Sequence, residues 1–126
     1  MQPLIELLMR IQRTNNLNKV FYIDTVGHGN AYHQYQVLCQ TDFQDYPTCI
    51  DIKFQNGARK NSDSISGVLE SDLLEIVRHR LQCFQSGEYA TRENEQALLH
   101  IEQALMWLDK RAQDRAERGV LGTMNK

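Results

Sequence analysis

Cysteine and proline are scarce in this chain, with three and two among 126 residues. Cys39, Cys49 and Cys83 form no CxxC pair, and an odd count argues against a disulfide framework. Buried free thiols are expected, and zinc shared by Cys39 and Cys49 is not. The four histidines, His28, His33, His79 and His100, show no HxxxH or HExxH spacing. GxSxG, Walker and GxGxxG patterns are missing as well. Gly27-His28-Gly29 lacks the surroundings of a phosphate loop and reads as a turn with His28 exposed. No nucleophile–base pair is visible from spacing, so neither an enzyme, a metal site nor a cofactor is expected. No apolar run approaches the ~18 residues of a membrane span. Met1 to Arg13 carries Glu6 inside its apolar stretch and no basic leader, so no secretory signal is expected, and the cytosol is the expected location. An excess of positive charge is also lacking. Fourteen Lys and Arg stand against sixteen Asp and Glu, a net charge of −2. General duplex binding is disfavoured by that balance, while a local basic site is allowed.

What is present is an ordinary globular composition, 41% apolar and 24% charged. The length fits one domain of ~100–150 residues. Pro3 followed by Leu4, Leu7, Leu8 and Ile11 predicts a short amphipathic helix over 3–13, ended by Thr14-Asn15-Asn16. Val20-Phe21-Tyr22-Ile23 is a β-branched and aromatic run typical of strands. The turn residues Gly27 to Asn30 follow, and then the alternating stretch 32–38, so a hairpin is expected. Thr48 to Phe54 alternates again, with Ile50, Ile52 and Phe54 on one face. Asn56-Gly57 closes that third strand. Residues 58–66 are polar and predict a mobile loop.

The second half changes period. Ser71 is placed to cap a helix whose stripe is Leu73, Leu74, Val77, Leu81 and Phe84, with Gly87 at its end. Thr91 is placed to cap another, in which Leu98, Ile101, Leu105, Leu108 and Ala112 form a heptad-like seam ending at Gly119. From Gly122 onward the chain looks frayed. The short link forces the helices antiparallel. The fold class is therefore α+β: one domain over 1–126, with an N-terminal α/β part (1–68) carrying a small antiparallel sheet and a long helical hairpin (69–122). A second helix of ~25 residues is about 37 Å long and outruns its partner, which points to oligomerisation or else to a helix folding back across the sheet.

One cluster has chemistry in it. Lys110, Arg111, Arg115 and Arg118 lie near the end of the long helix, and Arg111, Arg115 and Arg118 share a face. They read either as a solvated helix end, where cations are favoured, or as a phosphate clamp, for which the arginine fork is suited. At the other end of the hairpin, Phe84 reads as core or as a ring face for a base. Asn94 reads as a capping partner or a ligand contact.

The second half also resembles a known family. The segments are Phe54-Gln55-Asn56-Gly57, Gly67-Val68, Asp72 to Val77, Arg80-Leu81 and Phe84 to Gly87. They continue through Glu93-Asn94, Ala97-Leu98, Ile101 to Leu105, Trp107-Leu108, Arg111, Asp114-Arg115 and Arg118 to Val120. Together they are similar to the phage Thoeris anti-defence sponges of the first type, which share a helical-hairpin domain with an anti-CBASS cyclic-nucleotide sponge. The resemblance covers roughly residues 50–122. It implies a non-enzymatic protein, in the cytosol of the infected bacterial host, that binds and sequesters cyclic ADP-ribose isomers made by TIR-domain proteins. It implies a homodimer or a higher homo-oligomer, a hexamer among them, with pockets built from two protomers. By resemblance, Phe84 would stack on the purine, Arg111 and Arg115 would hold phosphates, Asn94 would hydrogen-bond the ligand, and Arg59 would close over the pocket. The family often has Gly-Pro where this chain has Gly57-Ala58, and Asn-Gly where it has Ser66-Gly67. The rival readings are a sponge for CBASS cyclic di- or trinucleotides, an enzyme cleaving such messengers, and a hairpin adaptor with no small ligand.

Overall fold

A computed structural model describes residues 10–11 and 18–126. The backbone packs into two compact units. The first holds residues up to 57 together with 63–67, and the second holds 58–62 and 68–126.

In the first unit, β1 (Lys19–Tyr22), β2 (Gln34–Cys39) and β3 (Thr48–Lys53) form an antiparallel sheet in the order β1-β2-β3. The register places Val20 opposite Val37 and Tyr22 opposite Tyr35. It places Tyr35 opposite Ile52 and Val37 opposite Ile50. Because side chains alternate across a strand, these six share one face, as the alternation predicts. Phe54 continues it, meeting Tyr35 edge-on at 5.5 Å between centroids. On the other face Gln36 Nε2 donates to Asp51 Oδ1 across β2 and β3 (2.9 Å). Phe21 is the one buried apolar side chain among the described residues, 8% exposed; the thiols expected to be buried are not, Cys39 being half-buried and Cys49 and Cys83 exposed.

Most of the helix expected over 3–13 lies outside the described residues. At residues 10 and 11 the chain is extended instead. Arg10 bridges Phe21, and Ile11 N–H donates to Val20 O at 3.0 Å. Pairing with the open edge of β1 supplies backbone bonds that a helix end would leave unmet.

The segment 58–66, expected as a mobile loop, is tied down on both sides. Asn56 and Ile65 exchange backbone hydrogen bonds (2.9 and 2.8 Å), and Lys60 N–H donates to Gly122 O (2.9 Å). Gly67 passes so close to β3 that a Cβ on it would lie within 2.7 Å of Lys53 O, Phe54 C and Gln55 N. Only glycine permits that approach.

The second unit is the helical hairpin: α1 (Glu70–Gln85) and α2 (Arg92–Glu117). The cap of α1 differs from expectation. The helix begins after Leu69, not after Ser71. Leucine offers no acceptor, so the Asp72 carboxylate reaches back to Leu69 N–H (2.8 Å), one half of a capping box. Thr91 caps α2 as predicted, its Oγ1 accepting from Asn94 N–H (3.0 Å). The left-handed glycine is Gly119, with φ 73°, at the end of α2, whereas Gly87 has no positive φ. The end of α1 is closed instead by Ser86 Oγ, which donates to Cys83 O (2.7 Å).

The seam of α2 holds as predicted: Leu98, Ile101, Leu105, Leu108 and Ala112 are half-buried. The half-buried residues of α1 are Ser71, Leu73, Leu74, Arg78, Leu81 and Gln85. Val77 and Phe84, expected in that stripe, are exposed beside it. Neither helix contains a buried residue. Ile76, Leu99, Met106 and Trp107 are bare, Trp107 63% exposed. Two helices alone cannot enclose a core, so half-burial is the most this hairpin achieves by itself. Among the described residues no helix is long and apolar enough to cross a membrane.

Candidate ligand-binding site

The candidate residues fall at the two ends of the hairpin. At the turn, Phe84 lies in the last turn of α1, 36% exposed, with the Arg80 guanidinium 5.4 Å from its ring centroid. That position leaves part of the ring face available to a flat ligand. Asn94 lies in the first turn of α2, half-buried. Its backbone N–H is used by the Thr91 cap. The turn between them is rigid: Gln85 Oε1 accepts from Thr91 N–H (3.0 Å), and Ala90 N–H donates to Gly87 O (3.3 Å).

The arginines sit at the other end of α2. Arg111 is exposed and makes no hydrogen bond or ion pair among the described residues. Its whole fork is therefore available. Arg115 is different. Its Nη1 donates to Asn125 O (2.9 Å), and its Nη2 donates to both Val120 O and Thr123 O (3.0 Å each). Each two-donor edge of a guanidinium includes Nη2. Arg115 therefore offers only single bonds, through Nε and the second Nη1 hydrogen, while the C-terminal turn holds it. Arg118 is committed too, to Asp114 (3.1 Å) and Lys126 O (2.6 Å). Arg59 is exposed and lies against the same turn. A Cβ on Gly122 would be 3.7 Å from Arg59 Cβ. The structure thus gathers Arg59 and Arg115 around the turn that begins at Gly119.

The two ends are not brought together within one chain. Asn94 and Arg111 are separated along a continuous helix by ~26 Å at 1.5 Å per residue. The stretch from Gly122 onward, expected to be frayed, is instead the scaffold of Arg115. Gly122 has φ 77° and its carbonyl is taken by Lys60. The paired glycines at 119 and 122 were the only sequence signal of that turn. Between the helices lies a groove of about 540 Å³, with Glu75, Arg78, Glu102 and Asp109 among its walls. No three His, Cys, Asp or Glu side chains among the described residues are grouped to hold a metal ion.

A profile of the Acb2/Tad1 hairpin domain matches residues 47–113, more than half of the chain. The chain belongs to the Acb2/Tad1 family. A relative, Thoeris anti-defense 1 of Bacillus phage SBSphiJ7, is 36% identical over 124 residues, spanning 98% of this chain and 72% of its own length. The match with that relative extends through the whole sheet unit, of which the hairpin profile covers β3 and the residues after it but not β1 or β2. Phe84, Asn94 and Arg111 lie inside the profile, Arg59 as well, and Arg115 just beyond it.

Proposed function

We propose that this Acb2/Tad1 protein is a sponge. It binds a cyclic ADP-ribose-type messenger made by bacterial TIR proteins in the host cytosol and sequesters it without cleaving it, so that Thoeris defence is not triggered. The observation that carries this reading is the placement of an uncommitted arginine fork on α2 and a partly exposed aromatic ring on α1 at opposite ends of the helical hairpin. The hairpin also keeps a bare apolar surface. One copy of the chain cannot close both ends on a small ligand. A second copy, antiparallel along α2, sets one protomer's Arg111 beside its partner's turn and covers the apolar surface at the same time.

In that pocket Phe84 stacks on the base and Asn94 reads a polar edge. Arg111 supplies the fork to one phosphate, and Arg115 and Arg59 supply single charged bonds to the other. Charge-assisted hydrogen bonds contribute ~1.5–3 kcal/mol each, and a stacked base ~1–3 kcal/mol. Nanomolar affinity needs about 12 kcal/mol, so enclosure between protomers supplies the remainder. The joint Acb2/Tad1 profile favours one rival, a sponge for cyclic di- or trinucleotides. The deciding experiment incubates the protein with a cyclic ADP-ribose isomer or a cyclic trinucleotide, removes free ligand, and heat-denatures the complex. Intact cyclic ADP-ribose in the supernatant supports the proposal. Intact trinucleotide alone supports the rival. Cleaved product means an enzyme, and an empty supernatant means an adaptor.

A further inference from the structure

The sheet unit has polar chemistry that the sponge reading does not use. A hollow of about 610 Å³ lies between the β1–β2 connection and the residues after β3, with Asp24, Gly27, His28, His33 and Asn56 on its walls. Asp24 Oδ2 accepts from His33 N–H (3.0 Å), which fixes the carboxylate. Its other oxygen, Oδ1, is shielded from water and has no hydrogen-bond partner. Asn56 Oδ1 is in the same condition, although the Asn56 backbone is fully paired with Ile65. His33, 7% exposed, is buried beside the same hollow, and a Cβ on Gly27 would lie 3.4 Å from its ring. On the other wall, His28 Nε2 lies 3.7 Å from where a Cβ on Gly57 would sit. The connecting loop is held by Gly29 and Asn30, both left-handed (φ 72° and 61°).

Buried acceptors without donors are rare in folded proteins, and an occupant that supplies the donor is one reason for them. The residues that carry these two oxygens, Asp24 and Asn56, both line one hollow, with the oxygens just beneath its surface. A hard cation would need about six oxygens or more, and no metal-holding group of His, Cys, Asp and Glu is found among the described residues. The remaining complement to two acceptors is a ligand with two N–H donors. We infer that this hollow binds a planar group with paired N–H donors, the chemistry shared by the Watson–Crick edge of guanine and by a guanidinium. The Asp24 carboxylate accepts the donor pair and supplies the charge. Asn56 either accepts a third N–H or turns its amide to donate to a neighbouring oxygen, as guanine requires. This inference does not rest on the sponge reading, since no arginine of the hairpin enters it.

The test titrates the full chain with guanosine, adenosine and methylguanidinium by calorimetry. None carries a phosphate, so the arginine end of the hairpin is not measured. Guanosine is expected to bind, and adenosine, with no adjacent N–H pair, at least tenfold more weakly. Asp24→Asn keeps an oxygen for His33 N–H but replaces the second acceptor with a donor, and should weaken guanosine binding at least tenfold. Binding of methylguanidinium, lost in Asp24→Asn, with none of guanosine supports paired-donor recognition and assigns it to a guanidinium source. No binding of either ligand, or unchanged binding in Asp24→Asn, overturns the inference. If that variant does not fold, amide shifts of His33 and Asn56 in the wild-type protein on adding guanosine or methylguanidinium carry the test. Their absence with both ligands overturns it equally.

Discussion

The sheet unit and the hairpin unit solve the same problem differently. In the sheet unit, backbone ladders, a buried Phe21 and the Asp24–His33 bond close the structure from within. In the hairpin unit, 42 residues of helix bury no side chain fully. The sheet is locked by polar detail in its connections, whereas the hairpin is capped carefully at both ends and left open along its length. The hairpin thus keeps its hydrogen-bonded order at its ends and leaves apolar side chains along its length exposed.

The largest expected effect comes from Leu105→Glu. A charge in the half-buried seam has no partner and opposes both the α1 contact and any pairing of copies. Loss of helical signal on dilution, together with a fall in mass by light scattering, is expected. An unchanged mass and helicity would place the completing surface elsewhere. Gly67→Ala probes the sheet unit. Its new Cβ must displace backbone atoms of β3, so destabilisation of about 3 kcal/mol, at the upper end of overpacking costs, is expected in denaturant unfolding.

Arg111→Ala and Arg115→Ala divide binding from folding. Both should weaken a cyclic ADP-ribose isomer tenfold or more. Only Arg115→Ala should also lower the melting temperature, because it removes three bonds to the C-terminal turn, with a loss of about 1–3 kcal/mol. Equal melting behaviour of the two variants would contradict the scaffold role of Val120, Thr123 and Asn125. Phe84→Ala should cost tenfold to a hundredfold in affinity, from ~1–3 kcal/mol of stacking. Its melting point should barely move, since the ring is partly exposed outside the seam. The smallest effect concerns pH. Tyr32 sits 4.2 Å from Tyr22, ring to ring, and the charge on Tyr22 is the first cause that lifts its pKa above the ordinary 10.0. A raised pKa favours the protonated phenol in the folded protein, so that contribution is present below pH ~10 and lost as pH rises through the folded value. Tyr22→Phe should flatten the alkaline limb of a melting-temperature profile.

How much of this was legible in the sequence follows from the range of each interaction. Periodicity is a local property, so Ile50 and Ile52 announced β3, and Leu98 to Ala112 announced the seam. Thr91 announced a cap because its partner, Asn94, is three residues away. Features made by distant residues were not legible. Arg10 pairing with Phe21, Lys60 with Gly122, and Gly67 crossing β3 all join parts of the chain that share no pattern. Ser71 looked like a cap because composition marks hydroxyls, but Asp72 reached the same job from inside the helix. Gly87 and Gly119 are equivalent by position, and only the backbone distinguishes which one turns left-handed. Of the candidate site, the residue types and the helix ends they occupy could be read from spacing. That Arg111 is free while Arg115 is tied to three carbonyls could not.

The unbroken α2 acts as a ruler. Its turn-end Asn94 and its far-end arginines are graduations on one stiff rod, and their separation cannot drift with loop motion. If copies pair along it, the gap presented to a ligand is set by how far one rod slides past the other. A seam of this kind re-engages only after a whole heptad, ~10.5 Å of rise. Ligand size would then be selected in discrete steps, and point changes on the ruler would alter grip without altering gauge. An insertion of one residue between Asn94 and Arg111 would turn the arginines about 100° around the helix axis relative to Asn94. Changes in length, more than changes in composition, would be the route by which such a protein acquires a differently sized messenger.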